Sequence, residues 1–215
     1  YLKWSSAYKA GGVNTRSASF IPFAEEVAKT WELGLKSEFW QQRARFNMAI
    51  FTTDYEDMQL DFSDPVIPTL VETINAAEVV EVSGFEFDLT VTPVLGLLVG
   101  LSYSYLDGDM PAQPNPLDGG ALKQFVVPLA PQHAGALTVD YSFSPQSYGV
   151  FALHLDITST DHYSFGPFGE QRTDAYSLVN ARAELSEIDL GQGNGQLKAS
   201  LWAKNVLDEE YIIYA

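Results

Sequence analysis

The amino-acid sequence predicts an all-β protein, and specifically an antiparallel up-and-down transmembrane β-barrel segment. Three features predict it: strand-like runs alternate between apolar and polar residues, these runs are long, and short connections alternate with long ones along the chain. Aromatic residues make up 13% of the 215 residues, a composition that favours strands over helices. Almost nothing in the sequence predicts a helix.

About nine strands are predicted from the period-two alternation. In the second of them, Trp31, Leu33 and Leu35 share one face, and Glu32 and Lys36 share the other. Most predicted strands span about 11–15 residues, whereas soluble strands average about 5–6 and a tilted bilayer crossing needs about 9–11. The predicted strands lie at about 2–10, 27–39, 43–56, 78–92, 97–107, 133–144, 149–160, 174–187 and 196–206.

The connections between these strands alternate strictly in length. Short ones lie at 40–42, 93–96, 144–147 and 188–195, and long ones lie at 11–26, 57–77, 106–132 and 160–173. An outer-membrane barrel shows this rhythm, because tight turns face the periplasm and long loops face the outside. The sequence therefore predicts short periplasmic turns, long extracellular loops, an apolar face against lipid and a polar face towards a water-filled lumen.

Composition excludes several classes of protein. The chain has 12 Lys and Arg against 28 Asp and Glu, so a nucleic-acid partner is not expected. No apolar run approaches the ~18 residues of a membrane-spanning helix. Cysteine is absent, which removes disulfides and thiolate metal sites. Nucleotide-binding, hydrolase and metalloprotease motifs are missing, so we expect no enzyme, no catalytic residue, no metal site and no cofactor.

The histidines share no metal-ligand spacing. His133, His154 and His162 are far apart in the sequence, and His154 falls on the polar face of a predicted strand. We therefore expect His154 to form hydrogen bonds in the lumen rather than to bind a metal.

Charged residues on the polar faces are interpreted as parts of a lumen wall. Arg43 and Arg45 are expected to pair with Glu86 and Asp88 on a neighbouring strand. The acidic stretches DYEDMQLDFSD and LDGDM match no complete calcium loop, and a solvated acidic loop is the favoured interpretation. We expect such loops to bind divalent cations shared with lipopolysaccharide phosphates.

Five stretches resemble one family in the same order as in that family. They are SSAYKAGGVNTR (5–16), FAEEVAKTWELGLKSEF (23–39), FNMAIFTTDYEDMQL (46–60), INAAEVVEVSGFEFDLTVTPVLGLLVGLSYSYLDG (74–108) and SLWAKNVLDEEY (200–211). Each resembles a segment of the barrel of TonB-dependent outer-membrane receptors. The resemblance implies that residues 1–215 are the C-terminal part of such a barrel, with about nine strands of about 22.

What this resemblance implies about function is active import across the outer membrane of a Gram-negative bacterium. The implied partners are the TonB complex of the inner membrane, a ferric siderophore or a similar small ligand, and the lipid and lipopolysaccharide of the outer membrane. We expect the plug domain, the leader and the terminal strand to lie outside this chain. An open sheet of this size would leave unpaired edges, so we do not expect the segment to fold alone.

Ligand contacts are hypotheses at three positions near predicted loop ends, Arg16, Tyr55 and Tyr163, where an anionic or aromatic ligand could bind. Interfacial anchoring is the simpler interpretation of each.

Two other classes of protein stay open at this point: a passive outer-membrane porin or another outer-membrane barrel protein, and a soluble β-sandwich that binds carbohydrate. The alternation of short and long connections disfavours the sandwich.

Overall fold

One antiparallel sheet dominates the computed structural model, which describes residues 1–64, 66–67, 69–143, 145–169, 171–191 and 195–213. The sheet has nine long strands, and each pairs with its neighbours along the chain. No helix occurs in the described residues. The strands are β1 Leu2–Lys9, β2 Glu26–Phe39, β3 Ala44–Glu56, β4 Val80–Val91, β5 Leu97–Asp109, β6 His133–Ser142, β7 Val150–Thr160, β8 Tyr176–Asp189 and β9 Gln196–Ala203.

All nine predicted strands are confirmed, and their ends differ from the prediction by a few residues. The clearest physical cause is at β9, which ends at Ala203 because the chain turns at Asn205. Asn205 has a φ of 47°, and its N–H donates to Asn180 Oδ1 at 2.8 Å. Ser144, to which the sixth predicted strand extends, lies outside the described residues.

Strand register produces continuous apolar rows on one face of the sheet. Residues directly opposite each other on paired strands project from the same face. One row crosses six strands and consists of Phe46, Leu89, Leu101, Leu137, Ile157 and Val179. On this face the side chains of Leu33 and Ile50 remain 58% and 50% exposed, so no protein layer covers them. Such a face is suited to hydrocarbon rather than to water.

The sheet is not closed. In the part of the chain that the structure describes, β1 and β9 each pair with a single neighbouring strand, so their outer edges carry unpaired backbone groups. This confirms the predicted barrel segment, which needs further strands to close.

Each long connection contains a short hairpin that the sequence pattern did not predict. The connections are named here L1 (10–25), L2 (57–79), L3 (110–132) and L4 (161–175). In L1, L3 and L4 the paired runs have two residues, which is too short to show a period-two pattern; the five-residue runs of L2 lie within a stretch that the sequence pattern assigned to a long loop. The paired segments are Gly12–Val13 with Pro22–Phe23, Gln59–Ser63 with Val71–Asn75, Gln113–Pro114 with Leu122–Lys123, and Tyr163–Ser164 with Arg172–Thr173.

The short turn between β2 and β3 holds three successive residues in the left-handed region. Trp40, Gln41 and Gln42 have φ values of 56°, 57° and 64°. The Arg43 guanidinium lies 4.6 Å from the centre of the Trp40 ring and donates to the carbonyl oxygens of Thr92 and Pro93. These contacts tie this turn to the β4–β5 turn. They also hold three non-glycine residues in the left-handed conformation, which costs about 1–2 kcal/mol for each of them.

We predict that Gln42→Gly stabilises the protein by about 1 kcal/mol, because glycine adopts a positive φ without steric cost. Chemical denaturation of the complete barrel in lipid vesicles should show the higher midpoint. Gln42→Ala is the matched control, since alanine keeps the strain and should give no gain. Equal denaturation midpoints for Gln42→Gly and Gln42→Ala would show that the positive φ of residue 42 does not destabilise the protein.

Candidate functional site

Loops L1–L4 all leave the same end of the sheet and fold over its polar face. The strand pair Tyr55 and Val80 identifies the side, because both project from the face that carries Asn47 and Glu86. Val80 is fully buried and Tyr55 is packed against the buried loop cluster. The loops therefore lie above the hollow of the sheet and not above its apolar face.

The buried apolar cluster of the described chain lies in these loops, not beneath the sheet. Its close packing requires Gly108 in β5, where a Cβ atom would lie only 2.8 Å from Val127 Cγ2 of L3. A single sheet has no second layer against which to bury a face, so the loops supply the core. The cluster consists of Leu60, Phe62, Ala76, Val80, Met110 and Phe125.

Three phenylalanines, one from each of L2, L3 and L4, meet in this cluster and are called here the aromatic triad. Phe62, Phe125 and Phe168 have ring centroids 5.1–5.5 Å apart, and all three pairs are edge-to-face. Such pairs contribute about 0.5–1.5 kcal/mol each beyond the area they bury. The Lys123 ammonium of L3 lies 4.8 Å from the centre of the Phe168 ring.

A carboxylate joins L1 to L2. Glu72 accepts hydrogen bonds from the hydroxyls of Ser17, at 2.5 Å, and Ser19, at 2.7 Å. The backbone N–H groups of Ala18 and Ser19 donate to the same carboxylate at 3.0 and 3.2 Å. The hydrogen bond from Ser17, with that from Ser19, lowers the pKa of Glu72 below its ordinary value because both favour the charged form.

Side-chain amides add further links between the same two loops. Asn75 accepts from the N–H of Ala24 at 2.7 Å and donates to the Ala24 carbonyl at 3.1 Å. Gln59 donates to the carbonyls of Ala10 and Ala24 at 3.1 and 3.0 Å. The base of L1 is thus fixed to the hairpin of L2.

The remaining loops are joined in the same way. The buried Gln113 of L3 accepts from the N–H of Ala77 in L2 at 2.6 Å. Between L3 and L4, the N–H of Val126 donates to the Pro167 carbonyl at 3.0 Å, and that of Leu129 donates to Ser164 at 2.8 Å. L1, L2, L3 and L4 together are called here the loop cap.

Below the loop cap, polar side chains on the lumen face pair between strands. Arg45 donates to Glu38 Oε1 from Nε at 3.0 Å and from Nη2 at 2.7 Å, and Asn47 donates to Asp88 at 3.0 Å. The predicted pairing of Arg45 with Glu86 or Asp88 is therefore wrong. The register explains the difference, because it sets Arg45 directly opposite Glu38 on one side and Thr90 on the other.

Arg43 also differs from the prediction. It lies in the turn after Trp40 and is bound to the carbonyls of the β4–β5 turn, away from the carboxylates of β4. Its guanidinium therefore fixes a turn and does not belong to the charged lumen wall.

A second polar group lies on β6, β7 and β8. His154 Nδ1 is 2.7 Å from Asp140 Oδ1, and its Nε2 is 3.5 Å from Asp156 Oδ1. Asn180 donates to the other oxygen of Asp156 at 2.7 Å. The prediction that His154 forms hydrogen bonds on the polar face is confirmed.

The lumen face forms an open hollow with a volume of about 650 Å³. Lys36, Asn47, Glu86, Asp88 and Ser104 are among the residues that line it.

Among the described residues, no group of three or more His, Cys, Asp and Glu side chains could hold a metal ion. The same part of the chain contains no helix long and apolar enough to cross a membrane. The arrangement offers a hydrated polar surface for binding or passage.

The sequence over residues 1–206 matches the family described as TonB-dependent receptor-like β-barrels. The chain belongs to the TonB-dependent receptor family. Members are receptors of the Gram-negative outer membrane and not a family of enzymes, so the apolar face of this sheet contacts the outer membrane. In this setting L1–L4 are the extracellular loops and the short turns face the periplasm.

Solved TonB-dependent receptors share the fold of the whole chain. The ferric yersiniabactin uptake receptor FyuA from Yersinia pestis is 18% identical, with a TM-score of 0.73 over 99% of this chain and 30% of that one. The siderophore receptor PiuA from Acinetobacter baumannii is 19% identical, with a TM-score of 0.70 over 98% of this chain and 30% of that one. The ferric preacinetobactin receptor BauA from Acinetobacter baumannii is 15% identical, with a TM-score of 0.66 over 98% and 30%. The chain thus spans about 30% of the length of these receptors.

The three residues proposed from the sequence lie on different segments of this TonB-dependent receptor barrel. Arg16 is exposed in L1, and its carbonyl accepts from the N–H of Val71 at 3.1 Å. Tyr55 lies at the end of β3 and packs against the loop cluster. Tyr163 lies in L4, with its ring edge-to-face on Phe165 at 5.4 Å. Of the three, only Tyr55 belongs to the packing of the loop cluster, and ligand contact stays a prediction for all of them.

Sequence reasoning missed the residues that hold the loop cap together. Phe62, Phe125 and Phe168 come from three distant loops, and nothing local marks them as partners. Glu72 was also not singled out, although the serines Ser17 and Ser19 that bind it lie two residues apart in L1. The clustering of small hydroxyl residues in L1 was the available signal for an anion-binding segment.

We predict that the attachment of L1 to L2 weakens at low pH, because the contacts of the Glu72 carboxylate weaken while the amide and backbone bonds between the two loops remain. The folded-state pKa of Glu72 is lowered, so its contribution to stability is complete above the unfolded-state value of about 4.3 and disappears as the pH falls through the folded-state pKa. A spin label at Thr15 in the complete receptor should become more mobile as the pH falls from about 7 to about 3.

Glu72→Gln provides the matched comparison, because its amide keeps the shape but not the charge. At neutral pH the label in this variant should already be mobile, and its mobility should vary little with pH. A label that stays immobile in Glu72→Gln at neutral pH would show that the carboxylate does not hold L1.

Proposed function

We propose that this chain forms part of the barrel wall and extracellular mouth of a receptor that imports a ferric siderophore with energy delivered through TonB. The observation that carries the proposal is a loop cap folded over a polar lumen wall, in a chain of the TonB-dependent receptor family. Three solved structures with this fold are receptors for ferric yersiniabactin, ferric preacinetobactin and a siderophore.

In this proposal the ligand binds on the extracellular side and then passes along the polar face of the sheet. Charged and amide groups such as Lys36, Asn47 and Glu86 line that face and offer hydrogen-bond partners to a polar chelate. A plug domain outside these residues would close the lumen and contact the TonB complex. The apolar face would contact lipid and lipopolysaccharide.

The passive porin remains a weaker proposal. A porin needs a lumen open to solvent, whereas here three loops bury a shared cluster on the lumen side of the strand ends. Family membership also favours the receptor.

Iron uptake by cells tests the proposed function. The complete gene would be expressed in a strain that lacks its own siderophore receptors, and the uptake of radioactive iron would be measured for a panel of ferric siderophores. We expect at least one to be taken up and an uncoupler of the proton gradient to abolish the uptake. Uptake that persists with the uncoupler would support the porin, and the absence of both binding and uptake for every ferric siderophore would overturn the proposed ligand class.

We predict different roles for Arg16, Tyr55 and Tyr163 in ligand binding by the complete receptor. Arg16→Ala should weaken the binding of an anionic ferric chelate by about tenfold, because a charge-assisted hydrogen bond is lost. Tyr163→Ala should weaken the binding of an aromatic chelate by a similar factor, because a stacking surface is lost. Equilibrium binding to purified receptor would measure both.

Tyr55→Phe separates packing from ligand contact at the third position. Because the Tyr55 ring packs against the loop cluster, this variant should bind the ligand as wild type does. A loss of affinity in Tyr55→Phe would show that the hydroxyl contacts the ligand. Unchanged affinity in Arg16→Ala and in Tyr163→Ala would remove those residues from the site.

A further inference from the structure

We propose that the loop cap opens and closes as one cooperative body and not as four independent loops. The proposal concerns the described loops alone, so it holds whichever ligand the receptor carries. It rests on three features: a core that L2, L3 and L4 share, bonds that join each of the four loops to the next, and the placement of this core on the lumen side of β3, β4 and β5.

The shared core cannot be divided between the loops. Phe62 is 0% exposed and Phe125 is 2% exposed, and Phe168 covers both from L4. If one loop moved away, it would expose the rings of the other two to water, which costs free energy in proportion to the apolar area uncovered. Movement of a single loop therefore costs free energy, because it breaks the contacts among the three rings. Movement of the three loops together keeps those contacts and avoids that cost.

The bonds between loops run from L1 to L4 without a break. Glu72 joins L1 to L2, Gln113 joins L2 to L3, and the N–H groups of Val126 and Leu129 join L3 to L4. Each link involves a buried or half-buried partner, so separating the loops would leave polar groups unpaired. Regions joined in this way open as a unit in native-state exchange.

The loop cap rests on the sheet through a small set of residues. Val80 and Tyr55 belong to the strand ends and pack against the cluster, and Gly108 lets Val127 approach the backbone of β5. These contacts lie on the lumen side, so the body covers part of the barrel mouth. Access to the hollow beneath it requires the whole body to lift, or a path along its edge.

Hydrogen exchange in the complete receptor tests the proposal with Phe168→Ala. This change is made in L4, and the readout is taken at Ala76 in L2 and Asn115 in L3, whose N–H groups bond within their own loops. Cooperative opening predicts that exchange at both amides accelerates by about tenfold or more, together with that of L4, because the partly buried ring that covers Phe62 and Phe125 is lost. Acceleration confined to L4 would overturn the proposal.

Three further measurements keep the test decisive. Phe20→Ala is the matched control, since Phe20 lies in L1 and is 60% exposed, and exchange in L2, L3 and L4 should stay unchanged. Phe168→Leu keeps most of the apolar volume and should give the same pattern with a smaller factor, even where Phe168→Ala fails to fold. In the wild-type receptor, exchange of all four loops should show one common dependence on urea, and separate dependences would overturn the proposal.

Discussion

The structure depends on one constraint, which is that a single sheet has no second protein layer to cover its apolar face. Side chains such as Leu33, Ile50 and Leu201 remain largely exposed, and only hydrocarbon can take the place of the missing layer. The membrane therefore acts as the core of the sheet, and the lumen face stays polar. The only buried cluster found in the described residues is built where the chain leaves the membrane, from the loops.

The strands were predictable because a period of two runs through every one of them. In β4 the apolar Phe85, Phe87 and Leu89 alternate with Gly84, Glu86 and Asp88, and this pattern alone predicts both the strand and its two faces. The register between paired strands is harder to predict from the sequence. Arg45 faces Glu38 and not the carboxylates of β4, because the offset of paired strands is set by turn geometry that single residues do not encode.

Most contacts of the candidate site could not be predicted from the sequence. Ser17 and Glu72 are 55 residues apart, and Phe62, Phe125 and Phe168 come from three loops with no common pattern. Local chemistry predicts turns and strands, whereas these pairs depend on how long loops cross above the sheet. His154 was the exception, because its place on the polar face of a strand already implied a hydrogen-bonding role.

The shared core of the loops also limits how the exposed surface of the receptor can change over evolutionary time. A loop that packs only on itself tolerates insertions and altered sequence, but a loop that supplies Phe62 or Phe125 to a common cluster must keep its length and its path. Changes in sequence and length are therefore expected to be tolerated best at exposed positions such as Phe20 and Ile67, which lie outside the cluster. The hairpin bases beneath them, which supply the shared core, leave much less room for such changes.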